Sequence, residues 1–144
     1  MTPPRSALEA ATAALAQRDR SAAGLAAYLE RRGTTPEDAA RAVERLAEAG
    51  YVDDTRYAFR RAEVLVGRGH GDASIRFDLE RDGVDCEVVD AVLAALEPER
   101  ERALALLRRA QSPLAGVRRL GAKGFSADAI ESALAALPEE EASS

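Results

Sequence analysis

Apolar side chains recur along this chain at intervals of three and four residues, the spacing that places them on one face of a helix. Leu8, Ala11, Thr12 and Leu15 form a first stripe. Leu25, Tyr28 and Leu29 form a second, and Ala39, Ala42, Val43 and Leu46 a third. No stretch of useful length alternates as a strand would. Glycines at Gly50 and from Gly67 to Gly71 break the pattern.

The pattern also repeats. With Gly33, Gly83 and Gly124 as fixed points, the fourth residue before each is Leu29, Leu79 or Leu120. The sixth after is Ala39, Val89 or Ile130, the tenth Val43, Leu93 or Leu134, and the thirteenth Leu46, Leu96 or Leu137. Those later offsets share one helical face. The second residue after each glycine, Thr35, Asp85 or Ser126, is a good N-cap, and Pro36 suits the first helical position. Each glycine is therefore expected to end one helix, with the next starting two residues later.

This spacing predicts an all-α fold of three tandem three-helix repeats, forming an elongated, curved single domain. Helices are expected near 6–18, 21–32 and 36–49, then 54–66, 72–82 and 86–96, then 98–110, 113–122 and 127–137. The domain is read as 6–137, with repeats of about 6–50, 51–96 and 97–137 and disordered tails at 1–5 and 138–144. Pro113 and Gly116 are expected to break the eighth helix. Position +10 is read as core in every unit, so Leu93→Ala should cost ~2–5 kcal/mol.

Composition narrows the function classes. The chain has 144 residues and a net charge of −5, so it is no bulk polycation built for indiscriminate nucleic-acid binding. Lys123 is the single lysine among 20 basic residues, and arginine is the better side chain for bidentate contact with carboxylate or phosphate. No apolar run approaches the ~18 residues of a membrane span. Residues 1–20 lack the apolar stretch of a secretory leader. Cys86, the lone cysteine, can form no internal disulfide, and a cytoplasmic location is expected.

Candidate chemistry is sparse. His70 is the only histidine, which leaves a zinc site or a nucleophilic triad little to build on. Gly67, Gly69 and Gly71 follow no strand and precede no Lys-Ser/Thr pair, so they make no phosphate loop. Cys86 reads as a small apolar residue in a first turn. Asp53 and Asp54 read as a helix N-cap with charge favourable to the dipole, and Tyr51 and Val52 as the staple at that helix start. No enzymatic activity and no cofactor or metal are expected.

Arginines are the residues left to explain. On the helix from Asp54 to Val66, the stripe Thr55, Ala58, Phe59, Ala62, Leu65 and Val66 is expected to face inward. Arg56 and Arg60 then point outward, with Arg61 beside Tyr57 and Arg68 a turn further on. Arg31-Arg32, Arg108-Arg109 and Arg118-Arg119 are further pairs. Crowded like charges contribute little to folding, so Arg60 and Arg61 are expected to be replaceable without unfolding.

The segment Gly50-Tyr51-Val52-Asp53-Asp54-Thr55-Arg56-Tyr57-Ala58 resembles the signature of the RecX regulatory family. Val43-Glu44-Arg45-Leu46 before it is similar to the family's lead-in. So are the run around Arg18, Arg20 and Ser21, Arg68-Gly69-His70-Gly71, Leu79 with Asp82-Gly83-Val84, and Lys123-Gly124-Phe125-Ser126. The resemblance covers about residues 6 to 137. It implies three tandem three-helix units and a non-catalytic regulator that binds the RecA recombinase filament on DNA. Such a regulator modulates, usually inhibits, the filament's ATPase, strand-exchange and co-protease activities.

On that reading Arg56, Tyr57, Arg60, Arg61, Arg68, Arg31, Arg32, Arg118 and Arg119 are candidate partner contacts. Gly50, Tyr51, Asp53, Asp54, Arg56 and Tyr57 form the family signature, with a structural role expected. The alternative is a helical regulator that touches single-stranded DNA directly. A steep loss of affinity with salt would mark that alternative. A monomer without membrane contact is expected in either case.

Overall fold

The computed structural model describes residues 6–138. Residues 1–5 and 139–144 lie outside the described residues, and with them both expected tails except Pro138. Among the described residues there are nine α-helices and no strand. They are α1 (Ala7–Gln17), α2 (Ala22–Arg31), α3 (Pro36–Glu48), α4 (Asp54–Gly67), α5 (Asp72–Arg81), α6 (Cys86–Ala95), α7 (Glu99–Arg109), α8 (Pro113–Ala122) and α9 (Ala127–Ala136).

The three anchoring glycines act as the repeat pattern predicts. Gly33, Gly83 and Gly124 have φ of 95°, 79° and 88°. In this left-handed region a glycine pays no Cβ penalty. Beyond each, the next N–H reaches back to the leucine carbonyl: Thr34 to Leu29, Val84 to Leu79 and Phe125 to Leu120, each at 3.0 Å. That is the Schellman closure, which satisfies a carbonyl the helix end would otherwise strand. The same three leucines are buried, so the stop signal and the core share a residue. Thr35 and Ser126 then accept from Asp38 and Ala129 as N-caps.

Packing follows the units. Leu25, Leu29, Val43 and Leu46 centre one apolar cluster. Ile75, Leu79, Val89 and Val92 centre a second, and Leu107, Leu120, Ile130 and Leu137 a third. The most extensive helix–helix contacts, α7–α9 and α2–α3 followed by α1–α3 and α4–α6, all fall within a unit. Neighbouring units meet through helix ends instead, which leaves three small cores in a row rather than one centre.

Several expectations about facing are corrected. In α1 the alanines Ala11 and Ala14 are buried while Leu8 and Thr12 are exposed. The small residues let α1 lie close to its neighbours. In each third helix the deepest late position is +9, at Ala42, Val92 and Ala133. Leu93 is only half-buried, so its truncation should cost less than a core leucine's. The eighth helix is unbroken. Ser112 caps it and Pro113 fills its first position, where a missing N–H costs nothing. Gly116 is buried against α7, where a Cβ would lie 2.7 Å from Leu107 Cδ2.

Candidate functional site

Two junctions join the three units, and in both a carboxylate at the start of one unit's first helix accepts from the start of the preceding unit's second helix. At the first, the N–H of Ala22 in α2 donates to Asp54 at the start of α4 (2.7 Å). At the second, the N–H of Asp72 in α5 donates to Glu99 at the start of α7 (2.7 Å). Ser21 Oγ donates to Asp82 O (2.6 Å) in one junction, and the Gly71 N–H donates to Lys123 O (2.8 Å) in the other. Each carboxylate answers the orphan N–H of a helix start with opposite charge, the favourable end of the dipole. Burial raises the Glu99 carboxyl, but N–H donors from Ser126 and Asp72 outweigh it and hold it below its ordinary value.

The signature segment builds the first junction. Asp53 caps α4 by accepting from the Arg56 N–H. Asp54 does not cap its own helix; it reaches unit one. Val52 is buried as a staple should be, whereas Tyr51 is 67% exposed and staples nothing. The Arg56 guanidinium donates to the carbonyls of Gly50 (3.2 Å) and Tyr51 (3.3 Å), tying down the chain after α3. The left-handed turn at Gly50 (φ 84°) puts those carbonyls in reach.

Helix α4 is rotated relative to the expected stripe. Ala58, Ala62 and Leu65 are buried as expected, but Thr55 and Phe59 are exposed, and Tyr57 and Arg61 turn partly inward. Arg61 forms a two-point pair with Asp78 on α5, at 2.9 and 3.0 Å. Arg81 adds a third donor to Asp78 (3.1 Å). The Arg61 hydrogen bonds hold the Asp78 carboxyl below its ordinary value against the opposing effect of burial. The Tyr57 hydroxyl donates to Asp82, and burial, then Asp82, pushes the phenol above its usual range. The expectation that Arg61 is replaceable is thus corrected: its loss would leave a mostly buried carboxylate short of partners.

The remaining candidates are freer. Arg60 lies 3.8 Å from Asp19 and is 65% exposed, a weak pair. Arg31 and Arg32 end α2, with Arg32 4.9 Å from the Tyr28 ring centre and the buried Arg20 at 4.2 Å. Arg118 is exposed on α8 and forms no ion pair among the described residues. Arg68 and Arg119, together with Arg109, line one cavity of about 400 Å³. Its floor is Leu106, Leu120, Ala110 and Gly116, and none of its lining residues is acidic. Its counterpart at the first junction, about 460 Å³, is lined by Arg18, Arg60, Arg61 and Arg81 but also by Asp19 and Asp82.

Residues that no motif marked hold the second junction. Arg102, 7% exposed, donates to Glu97 O (2.9 Å), His70 O (3.1 Å) and Asp72. His70 Nδ1 lies 2.7 Å from Ser74 Oγ, and burial, then Lys123, lowers its pKa from 6.5. Cys86 is exposed at the start of α6. Among the described residues no group of three or more His, Cys, Asp or Glu side chains is placed to hold a metal ion, and no helix is long and apolar enough to cross a membrane.

The model of the first three-helix domain of RecX matches residues 7–46, the whole of α1 and α2 and most of α3. The chain is 32% identical over 136 residues to the regulatory protein RecX of Stenotrophomonas maltophilia strain R551-3, covering 88% of this chain and 83% of that relative. The chain belongs to the RecX family. The RecX regulatory protein of Xanthomonas citri is 40% identical over 96 residues, 66% of this chain and 59% of its own length. The match thus spans about three fifths of that relative. The crystal structure of RecX from Lactobacillus salivarius superposes with a TM-score of 0.78 at 18% identity, covering 90% of this chain and 92% of that one. A second RecX crystal structure gives 0.72 at 21%, covering 87% and 68%. These superpositions establish the RecX fold of tandem three-helix units.

Proposed function

We propose that this RecX-family chain binds the RecA recombinase filament on DNA and limits its ATPase, strand-exchange and co-protease activities, without chemistry of its own. Membership of a family of regulatory proteins carries this reading. The family resemblance supplies RecA as the partner. The arrangement of the units supports it: each first helix ends on an arginine, Arg18, Arg68 or Arg109, that forms no ion pair among the described residues. A row of units with free guanidiniums suits an extended partner that repeats along its own axis.

The contact surface is read from the guanidiniums left uncommitted, at Arg31, Arg32, Arg60, Arg68, Arg118 and Arg119. Arg56, Tyr57 and Arg61 serve the contact indirectly, by holding α4 to the turn before it and to α5. The test is RecA ATPase on single-stranded DNA with increasing amounts of this protein. Suppression is expected below one molecule per RecA subunit. Unchanged turnover at excess protein would contradict the reading, and nucleotide hydrolysis by the protein alone would contradict its non-enzymatic part.

A further inference from the structure

We infer that the hollow between the second and third units, ringed by Arg68, Arg109 and Arg119, is a docking site for an acidic segment of a protein partner. The segment is one in which a carboxylate side chain sits next to an aliphatic one. This deepens the proposed function and rests on it for the partner's identity.

The two junctions, compared position by position, carry the inference. Aligning the starts of α4 and α7, where Asp54 and Glu99 play the same part, puts Leu106 where Arg61 stands. Aligning α5 with α8 through Leu79 and Leu120 puts Arg119 where Asp78 stands. The ion pair that links α4 to α5 beside the first junction is therefore replaced, between α7 and α8, by a leucine and an unpaired cation. Asp19, which follows Arg18, is matched by Gly69, which follows Arg68. Asp82, the other acid lining the first hollow, is matched by Lys123, so both of those acids are missing from the second, whose three arginines are exposed and form no ion pair among the described residues. Three guanidiniums held together repel one another, a cost an anion would relieve.

The shape and floor choose the anion. Leu106 and Leu120 offer an aliphatic base, and no aromatic ring lines the hollow to stack a nucleobase. About 400 Å³ accommodates one or two side chains rather than a continuous strand backbone. The chain's net charge of −5 opposes a polyanion at long range, and the C-terminal ends of α4 and α7, which abut the hollow, disfavour a doubly charged phosphate more than a carboxylate. Arginine's fork suits a carboxylate bidentately.

Two assays on the full chain test this. The first is fluorescence anisotropy with a labelled acetyl-Glu-Leu-Asp-Leu-Glu peptide, competed with inorganic phosphate and with a short oligothymidylate. The parent should bind the peptide, and Arg109→Ala with Arg119→Ala should weaken it about tenfold or more, as loss of hydrogen bonds to charged groups does. Arg108→Ala, on the exposed neighbour, should leave it unchanged, and melting curves confirm that each variant is folded. Arg109→Lys with Arg119→Lys should fall between, keeping charge without the fork.

The second assay is co-sedimentation with RecA filaments on single-stranded DNA. A parent that sediments while the Arg109/Arg119 variant stays behind supports both readings. Equal sedimentation of the two overturns the hollow and leaves the RecA reading standing. A parent that does not sediment yet binds the peptide through these arginines overturns the RecA reading and keeps the hollow. Oligothymidylate displacing the peptide at lower concentration than phosphate does, or a peptide signal indifferent to the arginines, overturns the acidic-segment proposal.

Discussion

The junction between units one and two and the junction between units two and three share a hydrogen-bonding plan and differ in what fills it. Beside the first, within unit two, Arg61 and Asp78 pair at 2.9 Å and Tyr57 donates to Asp82, so charge is matched next to the joint. In the second, the homologous positions hold Leu106 and Arg119, and Arg102 and Glu99 tie the helix ends together. The lesson is that a repeat can conserve its backbone contacts, which fix the fold, while its side chains divide between holding and binding. The backbone itself is tighter at the second junction. A Cβ on Gly71 would lie 2.5 Å from Phe125 N and 2.6 Å from Gly124 C, whereas the first junction carries a serine at the matching position.

That last contrast yields the largest expected effect. Gly71→Ala should destabilise by ~3 kcal/mol, the upper end of overpacking costs, because backbone rather than a flexible side chain must move. Ser21→Gly should cost only ~1 kcal/mol, the typical loss of a hydrogen-bonding cap. Urea denaturation of the two variants decides it; equal midpoints would show that the junctions are equally close.

Next in size is Asp78→Ala, expected to cost ~1–3 kcal/mol at neutral pH by stranding the Arg61 guanidinium. The folded Asp78 carboxyl titrates below its ordinary value. Its contribution is therefore present above the unfolded pKa, near 4, and lost as pH falls through the lower folded one. Stability of the parent should drop more steeply than that of the variant in this acid range, and parallel curves would refute the pair's role. The smallest effect belongs to the homologous site. Arg119→Ala should change stability by no more than ~0.5 kcal/mol, as exposed substitutions away from structural features do.

The fold was legible because its signals are local. Gly33, Gly83 and Gly124 mark helix ends by backbone conformation alone, and Thr35, Ser112 and Ser126 mark helix starts by one hydrogen bond each. The facing of α1 and α4 was not. Apolarity pointed to Leu8 and Phe59, but close packing selected the alanines and drew Tyr57 and Arg61 inward toward acids that lie 17 to 25 residues away. A periodic stripe cannot register such a partner. The break expected at Pro113 and Gly116 ignored their places, one at a first position and the other beneath Leu107. The candidate site was half legible: the Arg118-Arg119 pair and Arg68 stood out, while Arg109 lay outside the candidate contacts. Only alignment of α7 on α4 from their starting residues, rather than from the glycines, sets Leu106 against Arg61.

The central claim is that both junctions hold the units together, and that the uncompensated arginines of the second also dock an acidic partner. Co-sedimentation with RecA filaments on single-stranded DNA tests it most directly, using the parent, Arg109→Glu with Arg119→Glu, and Arg108→Glu. The account predicts that the parent and Arg108→Glu sediment with the filament, while the double variant remains in solution with an unchanged melting transition. A folded double variant that sediments as fully as the parent would contradict it.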